Sequence, residues 1–344
     1  MIRHAEAEGN IYRRAHGHAN GQIIGRGFMQ IEKLRERFIS EQISAVYSSD
    51  LSRALVTAEA LSQPRGLNII KTQQLREVCM GVWEDLPWGE IEHRDSEMNR
   101  NFGFDPARWF IEGSERFTHV QERMTGCISD IAGRHDGETV AVFSHGFAIR
   151  AFMCKTMGVQ SHEVVNVPYC DNTAVALLLF RNGELTIEYQ GDNSHLSSEL
   201  STFAHQTWWR SEKEWKRENL RFELFDQERD KELKDLCVSE LAAYSKESKE
   251  YTAIIGAEPG GLISLDTAAG KIDCVYIRPE QRGRGYGVQL IGQAVTECRK
   301  LRIEILSAEA PSNSNAVGFF HKYGFNVISD NDSVCVLEKN IRNW

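Results

Sequence analysis

The sequence predicts an α/β fold divided between two domains. Short apolar runs alternate with helix-patterned segments through the first two hundred residues, the composition shifts near Ser194, and a second strand–turn–helix pattern follows. Strands alternating with helices place helices on the faces of a sheet, and 344 residues suit two domains better than one.

Taken in order, Ile43 to Tyr47 reads as a short strand. Ser48-Ser49-Asp50 then offers turn and cap chemistry before a run of good helix formers from Leu51 to Leu61. Val120, Met124, Ile128, Ile131 and Ala132 recur at helical spacing. Gly137 breaks that helix, Thr139 to Phe143 is a buried-strand run, and Phe147 to Met157 resumes a helix. Ala174 to Phe180 is a further strand, closed by the turn Arg181-Asn182-Gly183. From His205 to Asp235 the chain is dense in charge and aromatics and is read as starting with a connecting helix; Trp208, Trp209 and Trp215 are read as packing between the two domains rather than as a ligand box. The second pattern has a strand at Leu220 to Phe225 and a helix at Gln227 to Tyr244. Strands follow at Thr252 to Ala257, Gly261 to Asp266 and Ile272 to Ile277.

Composition excludes several roles. A formal net charge of −9 does not suit a nucleic-acid coat, which needs clustered Lys and Arg. Eight cysteines are scattered singly with no C-x-x-C pair, so neither a zinc site nor a disulfide framework is expected. His16 and His18 lack a visible third ligand, so no metal is expected, and the loop from Arg13 to Gly21 is read as lying near a substrate. No apolar run is long enough for a bilayer and no signal peptide is visible, which makes the cytoplasm the expected compartment.

Chemistry concentrates first at Arg3-His4-Ala5-Glu6. A neutral imidazole can attack phosphorus while guanidinium groups and a second imidazole hold the phosphoryl oxygens. The remaining parts follow in order: Asn10, then Arg53 after a strand, then Glu77 in Leu75-Arg76-Glu77 ahead of Gly81-Val82-Trp83-Glu84. Last comes Ser144-His145-Gly146 after another strand. This ordered set resembles the histidine phosphatase, or phosphoglycerate mutase-like, superfamily over roughly the first 200 residues. The resemblance implies a three-layer α/β/α domain in which His4 is the nucleophile and forms a phosphohistidine. Arg3, Asn10, Arg53, His145 and the Gly146 N–H would bind the phosphoryl group. Glu77 would protonate the leaving oxygen and then activate water. The segment Leu75 to Asp85 is similar to the phosphatase branch, so hydrolysis of a small phosphorylated metabolite is expected, with a mutase as the alternative. Only Met1 and Ile2 precede Arg3, although the family's first strand is central; the expectation is a truncated first strand, with the true start upstream of Met1.

A second site begins at the strand ending in Val275-Tyr276-Ile277-Arg278-Pro279. Arg282-Gly283-Arg284-Gly285-Tyr286-Gly287 then opens a helix, which turns backbone N–H groups toward a pyrophosphate. With Asn313 to Phe325 downstream, the segment resembles the GNAT family of N-acetyltransferases over residues 219–344. That resemblance implies a mixed-sheet α/β domain. Acetyl-CoA would lie along Val275, Tyr276 and Ile277, its pyrophosphate on Arg282 to Gly287 and its pantetheine arm near Asn313, with an amine as acceptor. Phe320 stands where many members carry the tyrosine that protonates the leaving thiolate, and Phe has no proton to give. Tyr323 lies one turn on, and Asp273 and Glu309 are the candidate bases. The expected arrangement is 1–200 phosphatase, 201–218 connecting helix or linker, and 219–344 acetyltransferase. The alternative for the second part is a CoA-sensing module without transfer.

Overall fold

Aliphatic and β-branched runs become the strands of two sheets. The computed structural model describes residues 1–240 and 248–343. Contacts divide it into two units. One comprises Met1–Ala7, Ala15–Glu84 and Arg94–Gln206; the other comprises Glu8–Arg14, Asp85–His93 and Thr207–Trp344. The units are therefore not two uninterrupted stretches of chain, because two short segments of the amino-terminal half pack with the carboxyl-terminal one.

The first unit holds β1 (Ile2–Arg3), β2 (Ala45–Ser49), β3 (Ile69–Thr72), β4 (Val140–Ser144), β5 (Val175–Arg181) and β6 (Glu184–Asp192). They form one sheet in the order β3-β2-β4-β1-β5-β6. β1 to β4 run parallel to one another, while β5 and β6 are antiparallel to their neighbours. The four parallel strands thus end on one edge, where open α/β sheets bind their ligands. β1 is two residues long yet central: Ile2 pairs with Phe143 of β4 and Val175 of β5. Its register is fixed by a core containing Ile2, Leu34, Val46, Leu61, Phe143 and Val175, all buried. The helix Phe117–Gly133 buries Val120, Met124, Ile128 and Ile131, the spacing that predicts it.

The second unit holds β7 (Arg221–Leu224), β8 (Lys249–Ile255), β9 (Glu258–Asp266), β10 (Lys271–Ile277), β11 (Ile305–Pro311), β12 (Asn326–Asp330) and β13 (Val334–Asn340). Their order is β12-β13-β11-β10-β9-β8-β7. Only β10 and β11 are parallel, which makes the sheet mixed. The helix expected at Gln227 to Tyr244 is Lys231–Glu240, and the expected continuation to Tyr244 lies outside the described residues. Instead of one connecting helix, residues 201–218 form two short ones, Thr202–His205 and Glu212–Glu218. The break has a local cause. Ser211 is extended and its side chain caps the second helix by accepting from Glu214 N–H, so a new helix starts there. Trp208 and Trp215 pack edge-to-face within this unit, with the Arg13 guanidinium over both rings.

Leu61 is fully buried under the central strands, whereas Ile39 is 82% exposed. Leu61→Ala should therefore destabilise the first unit by about 2–5 kcal/mol, and Ile39→Ala should change it by less than about 0.5 kcal/mol. Urea unfolding followed by tryptophan fluorescence checks this; equal midpoints for the two variants would contradict the core assignment.

Candidate functional site

Each element of the first site leaves the carboxyl end of a parallel strand. His4 follows β1, and its backbone is pinned: its N–H donates to Ser144 O at 3.0 Å, and its carbonyl accepts from Asn172 Nδ2 at 2.9 Å. The His4 Nδ1 faces the Ala5 carbonyl at 2.7 Å. A carbonyl only accepts, so Nδ1 carries the proton and Nε2 keeps its lone pair. Burial first, then the charges of Arg53 and Arg3, hold the His4 pKa well below its ordinary value. The ring is 3% exposed and therefore sits as a neutral, pre-deprotonated base.

Arg53 lies in the first turn of the helix Ser52–Ser62 that follows β2. Its Nε–H donates to His145 Nδ1 at 3.2 Å. That bond sets the second tautomer: Nδ1 of His145 accepts, so Nε2 bears the proton. The two imidazoles lie 5.2 Å apart, centroid to centroid. His145 Nε2 and Arg3 Nε are both buried with no hydrogen-bond partner. Two buried donors left without acceptors beside a lone-pair nitrogen are a cost unless an anion fills the space between them. Burial lowers the Arg53 pKa to about 10 against the pull of Glu77 and Glu84. It lowers that of Arg3 too, against the pull of Asp171 and Glu77. Gly146 packs against Arg3: an added Cβ would sit 3.2 Å from Arg3 Nε.

Glu77 arrives from the connection after β3 and caps the helix Gly146–Thr156. Its carboxylate accepts from the N–H groups of Phe147 at 3.1 Å, Ala148 at 2.8 Å and Val78 at 3.0 Å. A carboxylate offers about four lone-pair sites. Three are used, and the one remaining on Oε2 can hold a proton.

The structure brings Arg3, His4, Arg53, Glu77, His145 and Gly146 together within the first unit. Asn10 lies in the helix Glu8–Tyr12, which belongs to the second unit. His18 reaches Glu77 from the loop before the first long helix: its Nε2 donates to the Glu77 carbonyl at 2.9 Å. Arg123 supports the same carbonyl at 3.1 Å. Three other supporting residues are not marked by any motif. Thr57 accepts from Ala5 N–H at 2.9 Å and donates to the Arg53 carbonyl at 2.7 Å. Asn172 holds His4, and Thr173 donates its N–H to Arg3 O at 3.2 Å from a left-handed φ of 59° that a β-branched residue rarely adopts. Thr57 was legible in principle, since it sits four residues from Arg53 on one helical face. Asn172 and Thr173 carry no local signal. Among the described residues no group of three or more His, Cys, Asp or Glu is arranged to hold a metal ion, and no helix is long and apolar enough to cross a membrane.

The second site lies at β10. This strand pairs with β9 as far as Ile277, but with β11 only at Lys271 and Ile272. The edge from Asp273 to Ile277 therefore opens toward β11 without a register partner, and it contains Val275, Tyr276 and Ile277. Arg282 Nε donates back to the Ile277 carbonyl at 2.8 Å. Gly283 and Gly285 take φ of 76° and 79°, a left-handed backbone that admits glycine and turns successive N–H groups outward. Arg282, Gly283, Arg284 and Gly285 are exposed, and the helix Tyr286–Lys300 starts at once with no side-chain cap. Tyr286 is buried and its hydroxyl donates to the Arg217 carbonyl at 2.6 Å; Gly287 follows it in the first turn, and Asn313 is exposed in the turn after β11. An open strand edge followed by an uncapped, anion-seeking helix start suits an amide-containing arm joined to a pyrophosphate. Phe320 is buried against Phe319 and Phe325. Glu309 pairs with Lys271 at 2.9 Å, and Asp273 accepts from the Ser248 hydroxyl.

Residues 1–193 match the histidine phosphatase superfamily (branch 1), and residues 224–335 match the acetyltransferase (GNAT) domain. Phosphoserine phosphatase 1 of Hydrogenobacter thermophilus is 28% identical over 178 residues, spanning 52% of this chain and 84% of its own length. Phosphoglycerate mutase-like protein 4 of Arabidopsis thaliana is 31% identical over 200 residues, spanning 57% and 85%. Among solved structures, Bacillus stearothermophilus YhfR superposes with a TM-score of 0.55 at 29% identity, covering 57% of this chain and 97% of that one.

Both imidazoles of the first site titrate well below their ordinary value in the folded protein. An unfolded chain takes up those two protons below about pH 6.5, so it gains on the folded state as the pH falls, while above about pH 7 both states are neutral there. Stability should hold from pH 7 to 8 and drop from pH 6.5 to 5, and the His4 and His145 ring protons should show no titration near pH 6.5. Urea midpoints against pH, with histidine NMR, decide it; an ordinary titration of either ring would contradict the burial argument.

Proposed function

The chain belongs to the histidine phosphatase superfamily (branch 1) and carries a GNAT domain behind that part, and we propose that it hydrolyses a small phosphate monoester through a phosphohistidine on His4. The observation that carries the proposal is the pair of buried, acceptorless donors, Arg3 Nε and His145 Nε2, beside a neutral His4. Their geometry favours a tetrahedral dianion.

The steps follow from the tautomers. The His4 Nε2 lone pair attacks phosphorus as the bond to the ester oxygen breaks, and that oxygen takes the proton from Glu77. Arg3, Arg53 and His145 meet the charge spread over the three remaining oxygens, already oriented and shielded from water. Water then attacks the phosphohistidine and Glu77 takes its proton. The P–N bond breaks with its electrons returning to Nε2, so phosphate leaves with Glu77 protonated for the next turn. Transfer to water, not back to an organic acceptor, is the reading that the Leu75 to Asp85 segment supports.

For the second part we propose acyl-CoA binding along Val275 to Ile277 and on the Arg282 to Gly287 turn, with Asn313 beside it. When bound, acyl-CoA supplies an activated thioester for an amine acceptor. A second reading, a CoA-sensing module without transfer, is favoured by one observation: Phe320 has no proton for a thiolate.

His4→Ala should abolish hydrolysis of phosphoserine and of p-nitrophenyl phosphate, and Glu77→Gln should lower kcat by about 10²–10⁴-fold. Activity in the His4 variant equal to the parent would refute the phosphohistidine route. In the second unit, Gly285→Val should remove acetyl-CoA binding measured by calorimetry. N-acetylation of any amine in a panel would eliminate the sensing-only reading.

A further inference from the structure

Arg53 is held in place by backbone carbonyls. Its NH2 donates to Gly17 O at 2.8 Å and its NH1 to Ala19 O at 2.9 Å. The opposite ends of this loop backbone are also occupied. His18 N–H donates to Glu84 Oε1 at 2.8 Å, and Ala19 N–H to Glu84 Oε2 at 2.7 Å. The peptide unit joining Gly17 to His18 therefore has its carbonyl on a guanidinium and its N–H on a carboxylate. One amide dipole spans cation and anion, and each of its hydrogen bonds polarises the other. Met80 N–H also donates to Glu84 Oε1 at 3.0 Å, which ties the connection carrying Glu77 to the same carboxylate. Gly17 shows how close the approach is. It has a φ of 45°, and an added Cβ would fall 2.1 Å from Glu84 Oε1.

We infer that Glu84 is a positioning residue: its carboxylate clamps the 17–19 loop and through that backbone sets the Arg53 guanidinium against the phosphoryl group, a role that depends on the phosphoryl-binding function proposed for Arg53. Three N–H donors converge on the two oxygens of Glu84, so glutamine cannot replace it silently. Either orientation of the amide sets an NH2 donor against at least one N–H donor. Aspartate keeps both acceptors on a shorter arm. The charge matters as well, since Glu84 is one of the two anions that stabilise the buried Arg53 cation.

The test measures phosphoserine hydrolysis, competitive inhibition by inorganic phosphate, and urea stability for the parent chain, Glu84→Gln, Glu84→Asp and Gly17→Ala. Glu84→Gln is also placed in an Arg53→Ala background. Glu84→Gln and Gly17→Ala should each raise the phosphate inhibition constant about tenfold or more, with Glu84→Asp between them and the parent. In the Arg53→Ala background Glu84→Gln should weaken phosphate binding no further, because an effect routed through Arg53 cannot be lost twice. An unchanged inhibition constant in a folded Glu84→Gln variant would overturn the inference, as would a full additional loss in the double variant. If Arg53→Ala alone leaves phosphate inhibition unaltered, the role of Arg53 itself falls and the inference falls with it, a result distinct from either of the others. Should Glu84→Gln fail to fold, Gly17→Ala carries the same comparison from the other side of the contact.

Discussion

Two guanidinium groups and two imidazoles are buried together, and the first half of the molecule is organised around making that tolerable. Removing Arg3 and Arg53 from water is costly unless each finds acceptors. The fold supplies them mainly as backbone carbonyls: Cys170 for Arg3, and Gly17 and Ala19 for Arg53. Carbonyls carry only partial charge, so they hold the cations without neutralising them. Burial first, and the surplus positive field second, hold the pKa of both imidazoles well below the ordinary value. The nucleophile and the anion-binding cup proposed above would thus share one physical origin. Were a carboxylate to pair directly with Arg53, the imidazoles would be easier to protonate and the cup already filled.

The tautomers follow from the same arrangement. Arg53 donates to His145 Nδ1, which forces the proton to Nε2, and Ala5 O accepts from His4 Nδ1, which forces the lone pair to Nε2. One ring presents an N–H donor at Nε2 and its neighbour a lone pair, although both are neutral. Neither assignment needs a carboxylate partner; a guanidinium and a carbonyl suffice. Glu77 completes the set from another element, held by the free N–H groups of the helix after β4. That helix start serves the Glu77 carboxylate, and the strand end before it serves the His145 imidazole, so one β4-to-helix turn orients two of the proposed site's groups.

The placement of most residues of the proposed first site was legible because they are strand-end residues in sequence order, and strand ends are what apolar runs reveal. β2 and β4 appear as such runs, so Arg53 and His145 could be placed without tertiary information. Asn10 is different, since its distance in sequence from His4 says nothing about which unit its helix joins. Asn172 and Thr173 were invisible for another reason. Their contribution is a backbone turn with one strained residue, and strain leaves no periodic trace. The interleaving of segments 8–14 and 85–93 with the carboxyl-terminal unit was also hidden, because contact partners far apart in sequence have no local signature.

The second unit separates binding from chemistry. The elements proposed to bind are backbone features, an open strand edge and a left-handed glycine turn, and they persist whatever side chains surround them. Proton transfer needs particular side chains, and here they are engaged or missing: Glu309 is paired with Lys271, Asp273 is hydrogen-bonded to Ser248, and Phe320 is packed among aromatics. A thiolate can leave without a general acid when its conjugate acid is as strong as an ordinary thiol, with a pKa near 8.5. An amine nucleophile, by contrast, must be neutral to attack. For acyl transfer to an amine the demand would therefore be a base or an amine already deprotonated, and a phenylalanine at position 320 bears on the less demanding of the two proton transfers.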